Sequence, residues 1–142
     1  MKDITKRILK VFEKEPLIGS FATVTEEGKP WVRYISLDVN KEDFSIQFAT
    51  FIHSRKVKQI EKNPEVHITC GDVDLENPSD YLQIQGTATV STEQKDKDAL
   101  WNEMLAQYFQ TPTNPDYAVV TVKPYRIEVW GLEMMEPLVW EK

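Results

Sequence analysis

The chain has 142 residues, 41% of them hydrophobic, and a formal net charge of -6 at pH 7. This composition predicts one folded domain over residues 1–142 and excludes wholesale disorder. The acidic balance argues against a nucleic-acid partner or a surface that binds anionic membranes.

The pattern of apolar residues predicts five elements in the first half of the chain. A helix covers residues 3–14, the two strands of a hairpin cover 17–25 and 31–37, a third strand covers 44–49, and a second helix covers 54–63. The first helix ends before Pro16, and the second stops at Asn63-Pro64. The N-terminal segment is charged and lacks the apolar run of a signal peptide. No apolar stretch approaches the ~20 residues that span a bilayer, so we expect a cytoplasmic protein without a membrane partner.

The second half predicts four strands, over residues 66–70, 81–90, 117–122 and 126–131, and a possible last strand to Trp140. Gly86 suggests a bulge, and Pro124 predicts a break between the two later strands. A third helix is expected behind Ser91–Gln94, which resembles a capping box. Its apolar face would carry Leu100, Met104, Leu105 and Tyr108. Mostly hairpin-connected strands with three helices predict an antiparallel sheet closed into a barrel.

The start of the second helix is electrostatically unusual. Ser54 is a good N-cap, because its hydroxyl can accept from the free N–H groups of the first turn. Arg55 and Lys56 follow, and cations at a helix N-terminus oppose the macrodipole by roughly 0.3–1 kcal/mol each. An anion at that helix end would reverse the sign, and a phosphate is the obvious candidate.

Arg33 is the second unusual cation, since it lies on a strand face shared with Trp31, Ile35 and Leu37. If it is buried, it needs an acidic or phosphate partner. The alternative is an edge arginine whose charged end reaches solvent.

Other chemistry is not predicted. There is no G-x-G-x-x-G motif and no Walker loop. His53 and His67 have no ligand-type residues at metal-binding spacing, and the acidic loop from Asp72 to Asp80 lacks the glycine and closing glutamate of a calcium loop. Cys70, the only cysteine, ends an apolar strand and is expected in the core. We predict no metal site and no catalytic side chain.

Together these features resemble the pyridoxamine 5′-phosphate oxidase-like flavoproteins, and within them the short general stress protein 26-like branch. The resemblance runs in order along nearly the whole chain. It rests on Ala-Thr-Val-x-x-x-Gly-x-Pro at 22–30, Arg33, Thr50 to Lys56, Asn63-Pro64, Gly86, Leu100-Trp101, Tyr108-Phe109 and Glu128-Val-Trp130.

The resemblance implies a mainly β fold with flanking helices, a six-stranded antiparallel FMN-binding split β-barrel. It also implies a homodimer with FMN at the subunit interface. Arg33 and Lys56 would hold the FMN phosphate, and Ser54 and Arg55 would complete that pocket. The flavin ring would pass Tyr34, Ile35, Ser36, Ala49 and Thr50, while Trp130 would approach from the other subunit. The substrate would lie near Trp130, Trp101 and Tyr108.

The sequence departs from true pyridoxamine phosphate oxidases in two places. The family's terminal Arg-x-His-x-Arg cluster is missing, since no Arg or His follows Arg126, and Tyr81 replaces the usual Gln on the strand before Gly86. We therefore expect an FMN-dependent oxidoreductase that transfers hydride through flavin on another, unknown small substrate. The alternatives are a stress protein that binds FMN, haem or a deazaflavin without turnover, and a structural dimer with an empty groove.

Overall fold

Alternating apolar side chains along the strands build one curled antiparallel sheet. The structure is a computed structural model that describes residues 2–72 and 74–142. The strands are β1 Ile18–Val24, β2 Pro30–Ser36, β3 Asp38–Val39, β4 Ile46–Phe51, β5 Glu65–Gly71, β6 Tyr81–Ser91, β7 Tyr117–Trp130 and β8 Leu138–Glu141. The helices are α1 Lys2–Phe12, α2 Arg55–Lys62, α3 Gln94–Leu100 and α4 Ala106–Phe109, with a 3₁₀ turn at Glu103–Leu105.

The strands are ordered β2-β1-β5-β6-β7-β4-β3, and β8 pairs with β7. All the pairs are antiparallel, so the predicted mainly β antiparallel fold with flanking helices is confirmed. Six strands have six or more residues; β3 and β8 are shorter and bring the described total to eight. The sheet curls into a half-barrel around its apolar inner face.

The core lies on this inner face. Phe21 on β1 meets Phe48 on β4 with ring centroids 5.0 Å apart, so the two halves of the curled sheet touch. Ile8 and Phe12 on α1 join the same buried cluster. The predicted position of Cys70 in this core is confirmed, since it is 3% exposed.

The predicted break at Pro124 is wrong, because β7 runs through it. Gln85 pairs with Arg126, whereas the next residue, Gly86, pairs with Pro124. Tyr125 is thus the extra residue of a β-bulge. The bulge accommodates a proline, which has no N–H to donate to a ladder. The predicted irregularity at Gly86 is confirmed.

The predicted long third helix is also wrong. It divides into α3, the 3₁₀ turn and α4, because Trp101 leaves the helical conformation and Asn102 accepts bonds from two backbone N–H groups of the next turn. The capping box is not formed. Glu93 occupies the N-cap without a side-chain cap bond, and Ser91 Oγ instead donates to Asp96 Oδ2 at 2.6 Å.

The third strand starts later than predicted. Phe44 has a φ of 64°, and its N–H donates to the Asn40 carbonyl, so the turn extends through it and β4 begins at Ile46. Among the described helices, none combines the length and the hydropathy that crossing a membrane requires.

Candidate functional site

A groove of about 600 Å³ opens between β2 and β4. One wall is formed by residues 33–36 of β2 and the other by residues 47–51 of β4. Lys56, from the start of α2, contributes to its lining. The volume lies in the range of about 300–1,000 Å³ typical of small-molecule and cofactor sites. We call this cavity the β2–β4 groove.

Arg33 turns inward from β2 and lies half-buried in the groove wall. Its Nη1 donates to Thr23 Oγ1 at 2.8 Å, and its Nη2 donates to Gln59 Oε1 at 3.2 Å. Burial, and secondly the nearby charge of Arg55, lower the pKa of Arg33. Of the two alternatives for Arg33, the structure therefore favours burial over an arginine that reaches solvent.

Lys56 is the second half-buried cation of the groove. Its Nζ donates to Thr50 Oγ1 at 2.9 Å, which fixes the ammonium group against the end of β4. Burial lowers the pKa of Lys56, and the charge of Arg33 lowers it further. The side chains of Arg33 and Lys56 are therefore close enough to repel each other.

Ser54 occupies the predicted N-cap position of α2, but the predicted cap bond is wrong. Its hydroxyl lies 3.3 Å from Thr50 Oγ1 and makes no bond to the first helical turn. Thr50 competes successfully for the hydroxyl because it lies at the end of the adjoining strand. The first turn of α2 contains no acidic residue either. Its N–H groups therefore receive no side-chain cap from these residues.

Arg55 is the third cation at this end of the groove. Its guanidinium lies over the ring of Trp31, 5.4 Å from the centroid. Within residues 4–72 and 74–142, whose side chains the structure describes, no ion pair joins a carboxylate to Arg33, Arg55 or Lys56. We call these three residues the cation cluster. Three unbalanced positive charges on a chain of net charge -6 form a site suited to an anion.

The structure brings most of the predicted site residues together. Seven line the β2–β4 groove: Arg33, Tyr34, Ile35, Ser36, Ala49, Thr50 and Lys56. Ser54 lies beside the groove through its contact with Thr50, and Arg55 is near enough to Arg33 for its charge to lower the pKa of Arg33. The donors and the volume fit a phosphate-bearing cofactor such as FMN.

Trp130 is separate from the groove in this chain. It ends β7, where its Nε1 donates to Glu128 Oε1 at 3.1 Å. The strand register puts Glu128, Gln83, Thr69, Ser20 and Tyr34 in one row across the outer face of the sheet. Because side chains alternate along a strand, Trp130 lies on this outer face too. Of the two other residues expected near the substrate, only Tyr108 lines the groove. Trp101 packs beside Tyr117 instead.

Sequence reasoning missed two sets of residues. One is the polar pair Thr23 and Gln59 behind Arg33. The hairpin register could have revealed Thr23, because Phe21 pairs with Arg33 and Thr23 lies two residues further on the same face. The other is the apolar part of the groove lining, where the divided third helix contributes Leu100, Met104, Leu105 and Phe109 beside the expected Tyr108.

The remaining candidates do not join the groove. His53 is exposed, and Cys70 is buried, which raises the pKa of its thiol to about 12. The predicted acidic loop includes Val73, which lies outside the described residues. Asp74 in that loop accepts from the N–H groups of Glu76 and Asn77, as expected for a carboxylate that stabilises a turn.

The chain matches the pyridoxamine 5′-phosphate oxidase family over residues 4–131. It is 29% identical over 141 residues to General stress protein 26 of Bacillus subtilis (strain 168). This alignment covers 99% of this chain and 97% of that protein. The crystal structure of General stress protein 26 from Bacillus anthracis has a TM-score of 0.80 at 24% identity, over 98% of both chains.

A third similar structure is a pyridoxamine 5′-phosphate oxidase-related, FMN-binding protein from Nostoc punctiforme. Its TM-score is 0.74 at 18% identity, and the alignment covers 98% of this chain and 87% of that chain. The structural likenesses, at these identities, show a common fold.

Proposed function

The chain belongs to the pyridoxamine 5′-phosphate oxidase family, and on this basis we propose that it is a flavoprotein that binds FMN in the β2–β4 groove. The observation that carries the proposal is the cation cluster of Arg33, Arg55 and Lys56. Arg33 and Lys56 line a cavity of about 600 Å³, and Arg55 lies near Arg33. None of the three has a carboxylate partner among the described residues. A phosphate would supply the missing negative charge.

In this proposal Arg33 and Lys56 hold the FMN phosphate, with Ser54 and Arg55 completing the pocket. Charge-assisted hydrogen bonds to phosphate are about twice as strong as neutral ones, and arginine can grip two oxygens at once. Thr50 holds the ammonium group of Lys56 in place at 2.9 Å, so less side-chain freedom is lost when the anion arrives.

The flavin ring would lie along β2 and β4. Among the described strands β2 pairs only with β1, so it is an edge strand with a row of free backbone groups. The N–H and C=O groups of Tyr34 and Ser36 point away from β1 and can therefore bond the polar edge of the ring, whereas those of Ile35, between them, face Gly19 on β1. Ala49 and Thr50 supply the opposite wall, where the small side chain of Ala49 leaves room for a flat ligand.

We propose a homodimer with FMN at the subunit interface. Trp130 lies on the outer face of the sheet, away from the groove of its own chain, so its proposed contact with cofactor requires a second copy. That outer face carries Val32 and Tyr34, which are 61% and 82% exposed in the isolated chain. Exposed apolar residues on a sheet face are typical of an interaction surface.

The bound flavin would supply hydride transfer, which makes oxidoreductase activity on a small molecule the proposed reaction. The chain itself binds and orients the cofactor, and we assign no nucleophile or general base to it. Its last strand carries Glu141 beside Arg126, at 3.2 Å, instead of a basic cluster for a phosphorylated substrate. Pyridoxamine phosphate is therefore not the proposed substrate. The proposed compartment is the cytoplasm.

A titration with FMN, followed by quenching of flavin fluorescence, tests the binding proposal. We expect saturable binding to the wild type and a loss of at least about 100-fold in affinity when Arg33→Ala and Lys56→Ala are combined, since hydrogen bonds to charged groups contribute about 1.5–3 kcal/mol each. Lys95→Ala, which removes an exposed cation on α3, is the matched control. Equal affinity of the double variant and the wild type would disprove the assigned phosphate site.

Reduction of the bound flavin tests the enzymatic part separately. Stopped-flow mixing of the FMN-loaded protein with nicotinamide donors should bleach the flavin absorbance. A flavin that binds but is not reduced by any donor would favour the alternative of a binding protein without turnover. Tighter binding of haem or a deazaflavin than of FMN would instead reassign the cofactor.

A further inference from the structure

A polar pair lies behind the cation cluster, deep in the protein. Thr23 on β1 is 1% exposed, and Gln59 on α2 is 9% exposed. Thr23 Oγ1 donates to Gln59 Oε1, which joins the strand to the helix. Both side chains are neutral, and neither lines the β2–β4 groove. Buried polar side chains almost always have hydrogen-bond partners. Here Arg33 is one of those partners, because it donates to both Thr23 Oγ1 and Gln59 Oε1.

The pair holds one side of the Arg33 guanidinium. Nη1 donates to Thr23 Oγ1 at 2.8 Å, and also to the carbonyl oxygens of Phe21 at 3.2 Å and Trp31 at 3.3 Å. Nη2 donates to Gln59 Oε1 at 3.2 Å. The ring of Phe21 lies 5.8 Å from the guanidinium carbon. The group is thus held by neutral partners from β1, β2 and α2.

The remaining donors are available for a ligand. A guanidinium has five N–H groups. The two on Nη1 and one on Nη2 donate to the neutral partners named above, which leaves two. Nε–H and the second hydrogen of Nη2 have no acceptor among the residues described. Nε and Nη2 share an edge of the guanidinium, which is the kind of edge that binds a phosphate in bidentate fashion.

We propose that Thr23 and Gln59 are positioning residues for Arg33, and that the neutrality of Gln59 makes the groove selective for a phosphomonoester. This rests on the proposed function, because it assumes that the anion bound at Arg33 is the phosphate of FMN. Every described hydrogen-bond acceptor of Arg33 is a hydroxyl, amide or backbone oxygen, so the full positive charge remains available. A carboxylate at position 59 would pair with Arg33 and compete with the phosphate.

The test compares the dissociation constants of FMN and riboflavin, which differ only by the phosphate. Gln59→Glu keeps the shape and the acceptor but adds the competing charge, so we expect the affinity for FMN to fall at least about tenfold. Thr23→Val keeps the shape but removes the hydroxyl that holds Nη1, so FMN affinity should again fall. Riboflavin affinity should change less than about twofold in both variants, because the ring does not contact Arg33. Thr23→Ser should restore FMN binding.

The outcomes separate this inference from the proposed function. If Gln59→Glu and Thr23→Val bind FMN like the wild type while the Arg33→Ala, Lys56→Ala double variant does not, the positioning role is wrong and the phosphate site stands. If both ligands weaken in parallel, the pair is merely structural and the inference is overturned. If the double variant also binds FMN normally, the phosphate site is wrong and the inference falls with it. Melting temperatures of the variants identify any loss of fold. In that case Gln59→Met and Thr23→Ala, which also remove acceptors of Arg33, replace them, and the ratio of the FMN and riboflavin dissociation constants decides in the same way.

Discussion

Among single residues, Lys56 combines half-burial with a charge that no described carboxylate balances. Desolvation by burial is the main cause of its lowered pKa, and repulsion from Arg33 adds to it. Both effects disfavour the protonated form without ligand, whereas a phosphate would favour that form. Binding of an anion and protonation of Lys56 are therefore linked.

This linkage predicts how FMN affinity depends on pH. Because the pKa of Lys56 lies below its ordinary value of 10.5, the ammonium group of Lys56 in the free protein loses its proton at a lower pH than an exposed lysine would. FMN affinity should therefore fall as the pH rises from neutral toward 10.5. Lys56→Arg should retain affinity over this range, since arginine stays charged. The measurement is the FMN dissociation constant of both proteins as a function of pH. Identical profiles would show that Lys56 does not contact the phosphate.

Single residues also show the reach and the limit of sequence reasoning. Arg33 and Lys56 were identifiable because a cation on an apolar strand face or at a helix N-terminus is unusual. The partner Gln59 was not identifiable, because its contact with Arg33 depends on how α2 packs against β1. Ser54 was predicted to cap α2, but Thr50, a neighbour in space, binds its hydroxyl.

At the scale of elements, the bulge between β6 and β7 shapes the sheet, and Gly86 is its tightest point. A Cβ atom at this position would lie 2.8 Å from the Lys123 carbonyl oxygen and 2.9 Å from Val122 Cγ1. Backbone atoms on the partner strand cannot move away as a flexible side chain can. Only glycine therefore fits without displacing β7.

Gly86→Ala should lower the free energy of unfolding by about 1–3 kcal/mol, the usual cost of overpacking. Denaturant unfolding measures it. Gly131→Ala is the matched control, because there the nearest atom is a side-chain oxygen of Asp80, at the longer distance of 3.3 Å, and not the backbone of a partner strand. An equal effect of the two substitutions would show that the close approach at Gly86 does not matter.

Elements with strong local patterns were predictable, and those set by tertiary contacts were not. The hairpin of β1 and β2 and the short α2 follow from turn residues and apolar spacing. The third helix fails because Asn102 binds backbone N–H groups and ends the regular pattern, although the apolar residues continue at helical spacing. This failure matters, since the divided helix places Met104 and Tyr108 on the groove.

For the whole molecule, the outer face of the sheet determines the assembly that we propose. Val32 is 61% exposed and lies on that face, yet it does not line the groove. A charge at this position would be buried without a partner in the dimer. Val32→Asp should therefore weaken the dimer at least about tenfold and reduce FMN binding with it.

Analytical ultracentrifugation measures the assembly over a range of protein concentrations. Leu75→Asp is the control, because Leu75 is 77% exposed in a loop outside the sheet, and it should leave the dimer intact. A wild-type protein that sediments as a monomer at all concentrations would contradict the proposed interface.

The visible absorption spectrum of the protein after incubation with FMN and desalting tests the central claim most directly. Protein alone does not absorb where flavin does, so the spectrum counts bound cofactor. The wild type should retain about one FMN per chain, and the combined Arg33→Ala and Lys56→Ala variant should retain almost none. A wild type that emerges without flavin absorbance would contradict the assignment of the β2–β4 groove as an FMN site.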